Sequence, residues 1–230
     1  MRAERRAQSD RGRGRMSEIS VGAILGRTAR LMRANAGLCG TVVLLLTAVS
    51  VTLDAVAANA ESRPTFIDSL AAFAAQYYLT RRLIDQRWAA GERSGALPVF
   101  VLQLVSTLGI LLGLVLLVIP GLYLLTRWFA AVPLLISRNQ GTGDALRESW
   151  LSTEGHGLAV FGAMVIVYIP LLLSLVVAFL FDEALIGGFG AIGVATNFMI
   201  SLAMVAGWCA AIGYCELRGG DRHTLEEVFA

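Results

Sequence analysis

The sequence predicts an all-α integral membrane protein with about six transmembrane helices and two interfacial amphipathic helices. Three observations predict it. Of 230 residues, 56% are hydrophobic and 16% charged, which would leave a water-soluble domain with too much apolar surface exposed. Two stretches, Gly157 to Phe181 and Ala184 to Cys215, carry no charge, and each exceeds the roughly 20 residues that cross a bilayer core. Both are apolar on every face, whereas membrane barrel strands show short alternating patterns.

Residues 1–15 hold six Arg among Ser, Gln, Glu, Asp and Gly, too little apolar content to offset the entropy of ordering. A disordered Arg-rich tail is expected there, and Met16 is an alternative start. No secretory signal is expected, because the first apolar stretch begins only near Ala34. From Ile19 to Arg33 the apolar residues Val21, Ile24, Leu25, Leu31 and Met32 follow helical spacing, flanked by Arg27, Arg30 and Arg33. Two readings stand. The helix lies in the membrane plane with these arginines on anionic headgroups, or it packs on the membrane domain.

A helical membrane domain over 16–218 then contains six spans, at 35–57, 65–80, 98–119, 121–137, 158–181 and 190–214, followed by a short cytoplasmic tail over 219–230. The second span is short and contains Asp68 and Gln76, so a half-buried or tilted helix is the alternative. The third and fourth are separated at Pro120-Gly121. Read as one helix, Pro98 to Ser137 would be about 60 Å long, twice the hydrocarbon thickness. Proline removes a helical hydrogen bond and glycine permits left-handed dihedrals, so the break is expected at Pro120 and Gly121.

All 19 basic residues are Arg, which excludes lysine-dependent chemistry. With an even span count the Arg residues of the N-terminal region, the 81–97 loop and the later segments (Arg138, Arg147, Arg218, Arg222) fall on one side. The other side shows Arg63 with Glu61, and Asp182 with Glu183. The positive-inside rule makes the Arg-rich side, with both termini, cytoplasmic, in a cell membrane, specifically a bacterial inner membrane. At an offset of 120 residues Arg27, Leu31, Gly37 and Leu38 fall on Arg147, Leu151, Gly157 and Leu158, a faint repeat in which an amphipathic helix would precede three spans in each half.

Catalytic machinery is not evident. Cys39, Cys209 and Cys215 lie in or beside apolar runs without zinc-site spacing and read as small buried hydrophobes. Gly188-Phe189-Gly190-Ala191-Ile192-Gly193 matches the dinucleotide pattern literally but opens a membrane helix, where no βαβ unit can form. Gly109-x-x-x-Gly113 predicts a close helix approach. His156 and His223 fall in loops. Ser94 within Gly91-Glu92-Arg93-Ser94-Gly95 has the wrong spacing for a nucleophile elbow and reads as a turn. Asp182-Glu183 and Glu226-Glu227 are adjacent in sequence, so helical geometry does not face them towards each other. No cofactor, metal or nucleic-acid partner is expected.

The informative stretch contains Ile119-Pro120-Gly121-Leu122-Tyr123-Leu124, Arg127, Pro133, and Asp144-Ala145-Leu146-Arg147-Glu148-Ser149-Trp150. Asp144 can cap a short helix, Leu146 and Trp150 share a face, and Gly155 can end it. This is the second interfacial helix, with Arg147 and Trp150 as headgroup contacts. The series Pro-Gly-x-Tyr, Arg, Pro, Ala-Leu-Arg-x-Ser-Trp resembles the membrane domain family named after glycerophosphoryl diester phosphodiesterase, over about 97 to 165. Family members often carry an acidic residue near Ser137-Arg138, absent here. The resemblance implies a helical membrane module, fused in some members to a phosphodiesterase barrel for which these segments leave no room.

The expected function is a non-catalytic membrane module acting on the lipid bilayer, anionic lipids or a membrane-protein partner through its amphipathic helices. The alternative is a transporter or lipid-handling permease lined by intramembrane polar groups such as Asp68, Gln76 and Arg127. Arg127, about 9 Å into the fourth span, is expected to pair with Asp68 or with Asp182-Glu183. A polar cavity at mid-membrane favours transport, and a solid small-residue core favours the scaffold. The topology itself is testable by labelling. Single cysteines at Glu61 and Gly188, in a cysteine-free background, should react with impermeant reagents from outside and one at Gly91 should be protected; labelling at Gly91 alone would invert the orientation.

Overall fold

The computed structural model describes residues 19–57, 65–88, 93–180 and 190–229, with 65, 178 and 220–229 described by backbone alone. The tail expected over 1–15, the alternative start at Met16, the Asp182-Glu183 pair and the 58–64 and 89–92 connections lie outside the described residues. Every regular element described is helical. The chain order is α1 (Val21–Ala34), α2 (Ala36–Ala57), α3 (Thr65–Asp85), α4 (Ala96–Leu116), α5 (Val118–Arg127), α6 (Ala131–Arg138), α7 (Thr142–Ser152), α8 (Gly157–Val167), α9 (Ile169–Leu180) and α10 (Ala191–Phe229).

Ser20 caps α1, its hydroxyl accepting the Ala23 N–H at 3.2 Å. The helix buries Ile24, Thr28 and Leu31 against α8 and α10, so it is packed on the bundle, the second of the two readings. Helix direction then alternates. Ser50 late in α2 donates to Asp68 early in α3 at 2.8 Å, and Asn197 early in α10 donates to Asp54 at 2.7 Å; these contacts mark one end of the bundle. At the opposite, arginine-rich end, the buried Glu216 of α10 accepts from Arg87, just after α3, at 3.0 Å and from Arg27 of α1.

The break between the third and fourth spans falls at Leu117, three residues before Pro120. Leu117 is extended (φ −162°, ψ 133°) and α5 begins at Val118. This corrects the expected break at Pro120-Gly121. Proline lacks a donor and is tolerated in a first helical turn, where N–H groups have no intrahelical acceptor, so Pro120 follows the break. Gly121 serves the approach of the two arms. A Cβ on Gly113 would stand 3.0 Å from the Gly121 Cα, and one on Gly121 would stand 2.7 Å from the Leu114 backbone nitrogen. Gly109 admits the Trp128 ring, which would lie 2.6 Å from a Cβ there. The close approach expected of Gly109 and Gly113 is therefore with the next helix of the same chain.

Asn139 ends α6 in the left-handed region (φ 48°), which a short polar side chain tolerates. α7 is bent by 103° from α8, through a turn in which Gly155 takes φ +79°. It therefore lies across the arginine-rich end of the bundle. α8 and α9 meet at Tyr168, where Pro170 withholds the N–H that would bond Ile166. The last helix continues past Arg218 to Phe229, through the segment expected as a tail.

Four helical segments among the described residues are long and apolar enough to cross a bilayer: Ala36–Ala57, Ala96–Leu116, Val118–Arg138 and Ala191–Gly219. Six were expected. α3 has the length, 21 residues or about 31 Å, but its polar and charged residues lower its hydropathy, while α8 and α9 are each too short alone. The repeat also needs correction, because α7 is followed by only two helical passes, α8–α9 and α10, rather than three.

α10 is the central helix, packed on α1, α2, α3, α6, α8 and α9. One core cluster joins Leu31, Val43, Leu46, Leu79, Leu83, Val205 and Ile212 with the buried Cys39 and Cys209. A second joins Ile24, Ala130, Leu134, Val160, Ala163 and Tyr214, and a third joins Ile84, Val99, Leu102, Ala131 and Leu135. The glycine contacts give a two-sided expectation. Gly113→Val and Gly121→Val should each lower stability in detergent by about 1–3 kcal/mol through overpacking, whereas Gly26→Ala, into open space, should raise it by about 0.5–1 kcal/mol. Thermal or denaturant unfolding reads both.

Candidate functional site

Val118–Arg138 is interrupted at residues 128–130, between α5 and α6. Such an interruption frees backbone groups that an apolar setting does not satisfy. Ser149 of α7, fully buried, meets both sides of it. Its hydroxyl donates to the Arg127 carbonyl at 2.8 Å and accepts the Ala130 N–H at 3.2 Å. Tyr214 of α10 holds the end of α7 in turn, donating to the Ser152 carbonyl at 2.6 Å. On the other flank Ser94, also buried, donates to the Leu135 carbonyl at 3.0 Å, and Tyr77 donates to the Ser94 carbonyl at 3.2 Å.

Arg127 is where the structure departs furthest from the expected pairing. Its guanidinium lies 4.9 Å from the Tyr123 ring centroid and 5.2 Å from that of Trp150, and it donates to the Trp150 carbonyl at 3.3 Å. That carbonyl belongs to the last turn of α7, the negative end of its dipole. Two ring faces and a helix terminus thus stabilise the cation, in place of Asp68, which accepts from Ser50 at the other end. Tyr123 and Trp150 themselves meet edge to face at 5.4 Å. Trp150, expected as a headgroup anchor, is half-buried on this arginine. The Asp182-Glu183 alternative lies outside the described residues.

Beside this break lies an open-sided cavity of about 360 Å³ between α3, α4, the α5–α6 break, α8 and α10, with a mostly apolar wall from residues such as Phe73, Phe129 and Met164. Gln76 and Thr80 enter from α3, Gln103, Ser106 and Thr107 from α4, Trp128 from the break, and Trp208 from α10. Tyr168 enters from the α8–α9 junction, so both helix interruptions open onto the same space. Gly207 makes room for Tyr168, whose ring would be 2.9 Å from a Cβ at that position. Gln103 donates to the Gln76 side-chain oxygen. None of the lining residues is charged. The lining residues of α4, Gln103 to Ile110, begin seven residues after Ala96, about 10 Å along the helix, which puts the cavity at mid-length.

The remaining expected contacts are separated. Arg27 is paired with Glu216, whereas Arg30, Arg33 and Arg147 are exposed. Among the described residues no group of His, Cys, Asp or Glu is arranged to hold a metal ion. Sequence reading missed Gln103 and Asp54, and gave Ser149 no role. The first two had a signal: Gln103 is the only amide in Ala96–Leu116, and Asp54 the only charge in Ala36–Ala57.

Residues 94–206 match the family described as the membrane domain of glycerophosphoryl diester phosphodiesterase. The match begins at Ser94 and ends within α10, so it extends beyond the 97 to 165 suggested by the motifs and contains the break, Ser149 and the α4 wall of the cavity. No curated protein and no solved structure matches the chain.

Two substitutions test this geometry. Ser149→Ala should cost about 1–3 kcal/mol, the range for leaving buried backbone groups unsatisfied. Arg127→Leu and Asp68→Asn should be additive within about 0.5 kcal/mol in a double-mutant cycle; a larger coupling would restore the ion pair.

Proposed function

We propose, on the premise of that match, that the protein is a non-catalytic, lipid-handling membrane module whose central cavity binds a neutral, hydroxyl-bearing molecule or headgroup. The uncharged cavity, its mostly apolar wall set with amide and hydroxyl groups, carries this reading. Amide and hydroxyl groups at mid-depth satisfy a polyol well, while a phosphate would meet no cation among the lining residues. A volume of about 360 Å³ lies in the range of small-molecule sites and is too small for a whole phospholipid. Helix interruptions facing a cavity are also the arrangement by which membrane transporters expose backbone groups to substrate. The enzyme named in the matched family's description acts, by that name, on glycerophosphoryl diesters, and glycerol is a polyol of the kind this lining suits.

In this reading the chain crosses a bacterial inner membrane six times, through α2, α3, α4, α5–α6, α8–α9 and α10. The arginine-rich end and both termini lie in the cytoplasm. The alternating helix directions and the one-sided arginines support that orientation. The exposed Arg30, Arg33 and Arg147 favour a second, compatible role in contacting anionic lipid.

Trp128 and Trp208 on the cavity wall provide the readout. Titrating the detergent-solubilised protein with monooctanoylglycerol should change tryptophan fluorescence saturably. Gln103→Leu should weaken the apparent affinity about tenfold, as expected for a lost buried hydrogen bond, and Ser106→Phe should abolish the change. An unaltered titration with Ser106→Phe would rule the cavity out as the binding site.

A further inference from the structure

We infer that the face of α7 turned towards α10 is a second, separate binding site, for the phosphodiester of a phospholipid headgroup. A pocket of about 330 Å³ lies there, lined by Gln140, Asp144, Arg147, Glu148, Leu151, Ser152 and Arg218. The α7 residues at 144, 147, 148, 151 and 152 follow helical spacing and form one face. Arg218 closes the pocket from α10.

The charges in the pocket select its ligand. Glu148 is neutralised by Arg138, which leaves Arg147 and Arg218, neither in an ion pair among the described residues, against the exposed Asp144. Among the described residues the balance is one positive charge, the complement of a phosphodiester. Guanidinium groups match the oxygens of a phosphate with paired donors. The Gln140 Nε2 is buried with no hydrogen-bond partner, a third donor whose desolvation an anion oxygen would offset.

Position then distinguishes a lipid from a free anion. α7 lies across the end of the bundle, bent by 103° from α8. Leu151 on the pocket lip is 53% exposed, and Leu158 at the start of α8 is 89% exposed. A dissolved phosphate has no use for these side chains. A lipid held by its phosphate would lay its acyl chains along them.

The test is calorimetric, on the full chain in dodecyl maltoside. Dihexanoylphosphatidylglycerol should bind saturably. Arg147→Gln and Arg218→Gln should each weaken it about tenfold, the size expected for a lost charge-assisted hydrogen bond, with Gln140→Leu weakening it less. Arg147 is exposed, so its variants should keep the wild-type melting temperature, and Arg147→Lys should recover only part of the affinity. Inorganic phosphate at the same concentrations should give no binding. Unchanged lipid binding in the Arg147→Gln, Arg218→Gln double variant would remove the site. Equal binding of inorganic phosphate, lost in the same variants, would replace the lipid by a free anion. Full affinity with Arg147→Lys would refute recognition by the guanidinium fork.

Discussion

One buried hydroxyl makes the interior of this protein possible. A helix interrupted at mid-depth leaves backbone donors and acceptors in apolar surroundings, each costing on the order of 1–3 kcal/mol without a partner, and more in hydrocarbon. Ser149 supplies both partners at once, taking the Ala130 N–H and giving its proton to the Arg127 carbonyl. With the interruption satisfied, Trp128 can turn onto Gly109 and form a cavity wall. The guanidinium of Arg127 lies beside the tryptophan that follows Ser149, so the cation and the hydroxyl secure the same helix. α7 thus acts as an internal partner to a broken apolar segment.

The fold class was readable because membrane crossing depends on composition over about 20 residues, and composition survives without tertiary knowledge. Local punctuation was less decisive. Pro120 carries the same residue signal whether it breaks a helix or occupies the first turn after a break, and only the extended Leu117 distinguishes the two. Arg127 was assigned a carboxylate because opposite charge is the partner most visible in residue types. The faces of Tyr123 and Trp150, and the negative end of α7, stabilise a cation equally well but become partners only when Arg127 and Trp150, 23 residues apart in sequence, meet. Polar groups within apolar runs were the readable trace of the cavity, and Gln76 alone among its polar lining residues had been singled out.

The arginine-rich end also shows that orientation signals and packing draw on the same residues. Glu216 is gripped by Arg27 and Arg87, joining α1 and the end of α3 to α10. A buried carboxylate with two guanidinium partners is strongly destabilising to break at one member. Arg27 therefore contributes to the charge asymmetry counted by topology rules while its side chain is committed to an internal contact. Arg30, one turn along, is exposed and bonds its own helix, at the Gly26 carbonyl.

The two spaces of the bundle differ in the one property that decides what each can hold. The central cavity has amides, hydroxyls and indoles but no charge, so it can exchange hydrogen bonds with a neutral guest and would have to desolvate an anion without compensation. The pocket on α7 has two guanidinium groups and lies across the end of the helices, where a headgroup can keep part of its hydration. Ser149 and Ser152 stand on the same helix three residues apart, the first turned inward to the break beside the cavity and the second lining the pocket. A displacement of α7 would therefore be felt at both. Because Ser149 holds the α5–α6 break and that break forms part of the cavity wall, the eleven residues of α7 join the lining of the outer pocket to the wall of the inner cavity.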